Sequence, residues 1–235
     1  MKQVLITGAS SDIGLAVCQK YLKAGWRVIG QYRTERTELD ALQEHPFQKW
    51  QCDFSNINDL EVNLKGNIFN VLKSDAFVNL AASLTPIKFS KATSSDILNA
   101  LSINFLPGLL IMQSLGPNMT NNNFGRIVHG SSIGVKFGGG KDSFAYSLSK
   151  HVQEFIPNEC RTWARKNVYV NIVRIGVTNT RLHSILPRKD MDARIKLIPA
   201  GRLASPLEIA ETLFWLGSNK NSFISNEIIS VSGGE

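Results

Sequence analysis

Short apolar runs alternate with helix-patterned stretches along all 235 residues of this chain. Val4-Leu5-Ile6 runs into Thr7-Gly8, and the next stretch places Ile13, Ala16, Val17 and Leu22 on one helical face until Gly25 stops it. Val28-Ile29-Gly30, Phe47 to Cys52, Ala76 to Leu80, Arg126-Ile127-Val128, Val168 to Val173 and Ile228 to Val231 read as further strands. Helices are expected around Leu39 and Leu42, from Leu60 to Val71 (weakened by Gly66), from Ser94 to Met119 and from Ser143 to Arg165. Pro157 lies inside the last of these and is expected to kink it. Residues 180–199 show little regular pattern and read as a loop. Ser205-Pro206-Leu207-Glu208 then opens a final helix, with a hydroxyl at the N-cap, proline at the first helical position and a glutamate placed for a capping box. Strands joined by helices require crossovers, and crossovers make a parallel sheet covered on both faces. The expected fold is α/β: one doubly wound domain over residues 1–235, with about seven parallel strands and helices on both faces.

Composition narrows the classes of function. Three cysteines (Cys18, Cys52, Cys160) form no Cys-x-x-Cys pair, which argues against a disulfide scaffold or a zinc module and suits a reducing compartment. His45, His129, His151 and His183 have no metal-ligand spacing, so no metal is expected. No apolar run is seen to approach the roughly 20 residues that span a bilayer, and the first one, after Lys2, is too short for a signal peptide. A cytoplasmic protein is expected. The net charge of +7 comes from scattered Lys and Arg, and reads as a solvated surface rather than a nucleic-acid or membrane partner.

The chemistry lies in two places. Thr7-Gly8-Ala9-Ser10-Ser11-Asp12-Ile13-Gly14 joins the first strand to the first helix. Glycines let a backbone approach a pyrophosphate, and the free N–H groups of a helix start bind its charge. The second strand ends in Gln31-Tyr32-Arg33, without the acid that NAD-preferring chains use for the ribose hydroxyl. Arg33, with Arg36 close by, suits a 2′-phosphate, so NADP(H) is favoured over NAD(H). Further on, Tyr146 and Lys150 stand one helical turn apart on one face. A free tyrosine titrates near ~10, and a neighbouring ammonium is expected to lower that value. The pair would then exchange protons near neutral pH, help worth ~10²–10⁴ in rate.

These segments resemble the short-chain dehydrogenase/reductase family over the whole chain. Gly8 and Gly14 match the first and last glycines of its Thr-Gly-x-x-x-Gly-x-Gly turn, and Asp12 stands at the middle one, where it can cap free helix amides. The resemblance implies a Rossmann-type fold with cofactor contacts along Gly8, Ser10, Ser11, Asp12, Ile13 and Gly14, and at Arg33. It implies further contacts at Asp53 and Phe54 after the third strand, and at Asn79 and Ala81 in Asn79-Leu80-Ala81-Ala82. After the sixth strand it implies Gly176, Val177 and Thr180, with Ile175 in place of the family's proline. The implied catalytic set is Asn104, Ser132, Tyr146 and Lys150, the last two also touching the cofactor. Ser131 stays open as the alternative to Ser132, and Pro107 suggests a local helix distortion near Asn104.

The activity implied is an NADP(H)-dependent ketoreductase, passing hydride between nicotinamide and carbon while Tyr146 exchanges a proton with the oxygen. Its substrate would be a small carbonyl or alcohol, with 3-oxoacyl chains nearest by resemblance. Residues 180–199 would form a substrate lid within a locally basic stretch (Arg181, Arg188, Lys189, Arg194, Lys196, Arg202). A homodimer or homotetramer is implied. The rival reading keeps the fold and NADP(H) binding without turnover, a regulatory or scaffold protein, on the strength of Asp12, Ile175 and Pro157.

Overall fold

A computed structural model describes residues 1–65, 73–181 and 191–235. The strands are β1 (Gln3–Thr7), β2 (Arg27–Tyr32), β3 (Phe47–Gln51), β4 (Ala76–Asn79), β5 (Gly125–Ser132), β6 (Val168–Ile175) and β7 (Ile228–Val231). They pair in parallel in the order β3-β2-β1-β4-β5-β6-β7, a seven-stranded sheet. The order reverses between β1 and β4, and a crevice opens there at the carboxyl ends of the strands. Register brings the polar ends together, with Thr7 opposite Asn79, Asn79 opposite His129 and Ser132 opposite Ile175.

The helices are α1 (Asp12–Lys23), α2 (Thr37–Asp40), α3 (Ile57–Lys65), α4 (Ser94–Asn104), α5 (Leu106–Asn121), α6 (Phe144–Val152), α7 (Asn158–Thr162), α8 (Met191–Lys196) and α9 (Pro206–Leu216). All five residues of β1 are buried, as a strand covered on both faces requires. Its pleat sends Val4 and Ile6 into one apolar layer, with Val17 and Tyr21 of α1 and Leu213 and Phe214 of α9. Leu5 faces the other layer, with Leu60 of α3 and Ile111, Leu115 and Met119 of α5. Tyr21 keeps its hydroxyl satisfied there by donating to the Gly217 carbonyl at 2.7 Å.

Several helix boundaries depart from the sequence reading. The helix expected from Leu60 to Val71 begins earlier, at Ile57, and is described as far as Lys65; Gly66 and Val71 lie outside the described residues, as do His183, Arg188 and Lys189. The long helix breaks at Phe105 (φ −114°, ψ −57°), just before Pro107 opens α5. Taken together, Ser94–Asn121 is 28 residues and contains an 18-residue window with a mean hydropathy of 1.4, long and apolar enough to cross a membrane by length and composition alone. That corrects the reading of short apolar runs only. In this fold Ile111, Leu115 and Met119 of the stretch pack against the sheet. Pro157 kinks nothing: α6 has already ended at Val152, and Pro157 is the N-cap of α7 with ψ 141°. A proline without an N–H is tolerated at such a start. The loop expected over residues 180–199 contains α8. The capping box of α9 forms as expected, with Ser205 Oγ accepting from Glu208 N and Glu208 Oε2 accepting from Ser205 N at 2.8 Å.

Candidate active site

The turn between β1 and α1 is shaped by what its glycines leave out. Gly8 has φ +66°, and a Cβ there would lie 2.9 Å from Ala81 N and from the Leu80 carbonyl carbon. Thr7 ties this turn to the end of β4. Its Oγ1 donates to Asn79 Oδ1 at 2.7 Å and accepts from Leu80 N and Ala81 N. Gln31, at 3% exposure, braces the same turn from β2: Oε1 accepts from Gly8 N at 3.0 Å, and Nε2 donates to the Cys52 carbonyl. Asn79 Nδ2 in turn meets His129 Nδ1 at 3.1 Å. Burial, with the Lys150 charge nearby, pushes His129 down to about 4, so the imidazole is neutral and accepts at Nδ1.

Asp12 does not cap the helix. Ser11 does, accepting from Gly14 N at 2.9 Å. The Asp12 carboxylate instead bridges two arginines from distant segments. Arg36 Nη1 donates to it at 3.0 Å, and the Arg181 amide donates at 2.8 Å while Arg181 Nε lies 3.2 Å away. Partial burial opposes its charge, but the Arg181 amide, the Arg36 guanidinium and both arginine charges outweigh that and hold the carboxyl below its ordinary value. Both arginines also donate to the Ser10 carbonyl. Arg36, rather than the exposed Arg33, is therefore the side chain turned toward the turn. Asp53 is exposed and accepts from Ser55 N, whereas the Phe54 ring is buried against Trp50.

The second group gathers where β5 meets α6. Ser132 is partly exposed, accepts from Gly134 N at 3.2 Å and shares a hydrogen bond with the Tyr146 hydroxyl. Ser131 borders the same cavity, but its hydroxyl is engaged, donating to Glu154 Oε1 at 2.7 Å with the Lys150 carbonyl 3.2 Å away. Strand alternation separates the two serines. Lys150, at 2% exposure, donates from Nζ to the Gly130 carbonyl at 2.7 Å and to Gln153 Oε1 at 2.8 Å. Its Nζ lies 5.9 Å from the Tyr146 ring centroid.

One expectation fails here. Tyr146 is not made acidic: desolvation pushes it up to about 12, against the opposing hydrogen bond from Ser132. Burial likewise pushes Lys150 down to about 7. Desolvation disfavours the charged form of each group, and Lys150 Nζ is bound by two neutral carbonyls rather than by the phenol.

A cavity of about 1090 Å³ connects the two groups. It is lined by Ser11, Asp12 and Ile13 at the turn, by Ser132, Tyr146 and Lys150, and by Gly176, Val177 and Thr180 after β6. Gly176 is pressed against β7, since a Cβ there would lie 2.6 Å from Ser232 Cα. Gly8, Ser10, Gly14, Arg33, Asp53, Phe54, Asn79 and Ala81 are not among the lining residues. Asn104 is not among them either. Its side chain is spent on Ser83 and on Ser149 Oγ (2.8 Å), pinning the segment after β4 to α6.

Thr7, Gln31, His129, Gln153 and Arg181 are site-supporting residues that the sequence reading did not assign. Gln153 had a signal, its three-residue spacing from Lys150. Arg181 was read only as part of the basic lid stretch, and nothing in the sequence signalled its pairing with Asp12, 169 residues away.

The family model described as enoyl-(acyl carrier protein) reductase matches residues 8–235. The chain is 30% identical over 243 residues to the acetoacetyl-CoA reductase of Acinetobacter sp. (strain RA3849), covering 99% of this chain and 97% of that protein. It is 28% identical over 240 residues to the 3-oxoacyl-[acyl-carrier-protein] reductase FabG of Aquifex aeolicus (strain VF5), covering 99% and 96%. Among solved structures, a 3-oxoacyl (acyl-carrier-protein) reductase from Agrobacterium tumefaciens C58 with NADP bound has the same fold. That match has a TM-score of 0.88 and 24% identity, over 100% of this chain and 94% of that one.

Proposed function

The chain belongs to the short-chain dehydrogenase/reductase family of oxidoreductases, and from that premise we propose that it is an NADP(H)-dependent ketoreductase. The observation that carries this reading is one cavity bordered by both the phosphate-type turn and the Ser132–Tyr146–Lys150 cluster. The turn fits a dinucleotide: a cradle at Gly8 that any Cβ would fill, beside the N-terminus of a twelve-residue helix. Ser11 and Ile13 would face the phosphates, and Gly176, Val177 and Thr180 the nicotinamide end. Arg36 and Arg33 would suit a 2′-phosphate, which supports NADP(H) over NAD(H).

NADP(H), when bound, supplies or takes up the hydride. Tyr146 holds its proton on Oη throughout the neutral range, so it is set to act as an acid toward a carbonyl oxygen. Ser132, already bonded to that hydroxyl, would donate to the same oxygen and stabilise the charge that gathers there. Lys150, titrating at about 7, is the group that can return a proton near neutral pH. Asn104 acts from behind, holding α6 through Ser149.

A 3-oxoacyl thioester is the first substrate to offer, on the names of the relatives. NADPH oxidation would be followed with acetoacetyl-CoA and a panel of ketones and aldehydes. Turnover is expected, and Tyr146→Phe is expected to lower kcat by ~10²–10⁴. The Asp12 carboxylate occupying Arg36 and Arg181 favours the second reading, a non-turning NADP(H)-binding protein. Tight NADPH binding with no turnover on the whole panel would establish that reading instead. A cytoplasmic homodimer or homotetramer completes the proposal, its assembly readable by light scattering.

A further inference from the structure

Gln153 sits at the end of α6, three residues after Lys150 and therefore on the same helical face. It is only 4% exposed. Its Oε1 accepts from Lys150 Nζ at 2.8 Å, while its Nε2 is buried with no hydrogen-bond partner among the described residues. An amide buried with an unused donor is costly, and a residue kept only for packing would be apolar. The acceptor half of the amide is the part with a task, and the ammonium is its target.

The charged and titratable neighbours do not supply a substitute. On α6 itself Tyr146 is neutral at ordinary pH, and on β5 His129 is neutral above about 4. Glu154, next along the chain, is held by a two-bond pair with Arg174 of β6 and by the Ser131 hydroxyl. His151 is exposed and lies 4.0 Å from that same Glu154. On α4 the uncharged Asn104 bonds to Ser149, and the Asp96 carboxylate, which borders a small pocket with Tyr146, is held by the Thr93 amide and hydroxyl at the helix start. The Lys150 ammonium is thus held by two neutral carbonyls, the Gly130 backbone and the Gln153 side chain.

We propose that Gln153 is a positioning residue for the reaction, its side-chain carbonyl holding and orienting Lys150 Nζ as an ammonium within the cleft. The inference rests on the proposed role of Lys150 in proton handling. A hydrogen bond to the charged form favours it against burial, so removing the acceptor should release Lys150 to its neutral form at lower pH.

Lys150 is titrated in the full-length protein by NMR of ¹³C-labelled lysine side chains, its signal assigned with Lys150→Arg. The wild-type midpoint is expected at about 7. Gln153→Met keeps the size and removes the acceptor, and the midpoint should fall by about one pH unit or more. Gln153→Glu supplies a carboxylate, and the midpoint should rise by a similar amount. Opposite shifts support the proposal; an unchanged midpoint in either folded variant, or shifts of one sign, overturns it. If Gln153→Met does not fold, Gln153→Glu decides alone, an unmoved or lowered midpoint counting against. The pH profile of kcat for NADPH-dependent reduction should shift with the same two signs. Because the NMR titration needs no turnover, a wild type without reductase activity would sink the proposed function while leaving the Gln153–Lys150 link to be judged separately.

Discussion

Tyr146 and Lys150 set the terms at the scale of single residues. Spacing alone pairs them, but desolvation governs their charges, holding the half-buried phenol protonated and the buried amine near its midpoint at neutral pH. The depressed lysine value has a consequence for stability. Between about 7 and the unfolded value of ~10.4, the unfolded chain holds the extra proton, so stability rises with pH across that window. Below about 7 the burial penalty is present in full. Chemical denaturation of wild type and Lys150→Met should therefore show the difference moving by about 2 kcal/mol in favour of wild type from pH 7 to 9. A pH-independent difference would mean that Lys150 titrates normally. Asp12 shows the limit of local reading. From sequence its place at a helix start suggests a cap, yet Ser11 already satisfies Gly14 N, and Arg36 and Arg181 arrive from far along the chain to claim the carboxylate.

Among the elements, the start of α9 was read correctly. Ser205, Pro206 and Glu208 form their capping box as written in the sequence, because all of its partners lie within one turn. Ser205→Ala should lower stability by about 1 kcal/mol, a fall in Tm of about 2–4 °C by calorimetry. An unchanged Tm would show that α9 is held by its packing alone. The end of α6 was misread. The α6 pattern continues toward Arg165 in sequence, but the chain leaves the helix after Val152 and restarts at Asn158 behind Pro157. The break at Phe105 is the converse case, since Pro107 marked it in advance.

Across the whole molecule, the parallel sheet brings turn, tyrosine and lysine together at one end of β1, β4, β5 and β6. A ligand bound across that crevice stabilises the folded state by mass action, about 2.7 kcal/mol at one hundred times its Kd. For a chain this long NADPH should raise Tm by about 5–10 °C at that saturation. NADH at equal concentration should raise it less, and an equal rise would remove the case for Arg36 and Arg33 as 2′-phosphate partners. The strand–helix alternation, the parallel sheet and the one-turn spacing of Tyr146 and Lys150 were legible in the sequence. Periodicity and short spacings are local properties, and each residue carries them wherever the chain goes. Which partners each serine hydroxyl meets, which arginine reaches the turn, what holds Lys150 and which way burial drives its charge were decided only by the tertiary structure. Those outcomes depend on strand register and on solvent exclusion by segments far apart in the chain, and no local pattern encodes either.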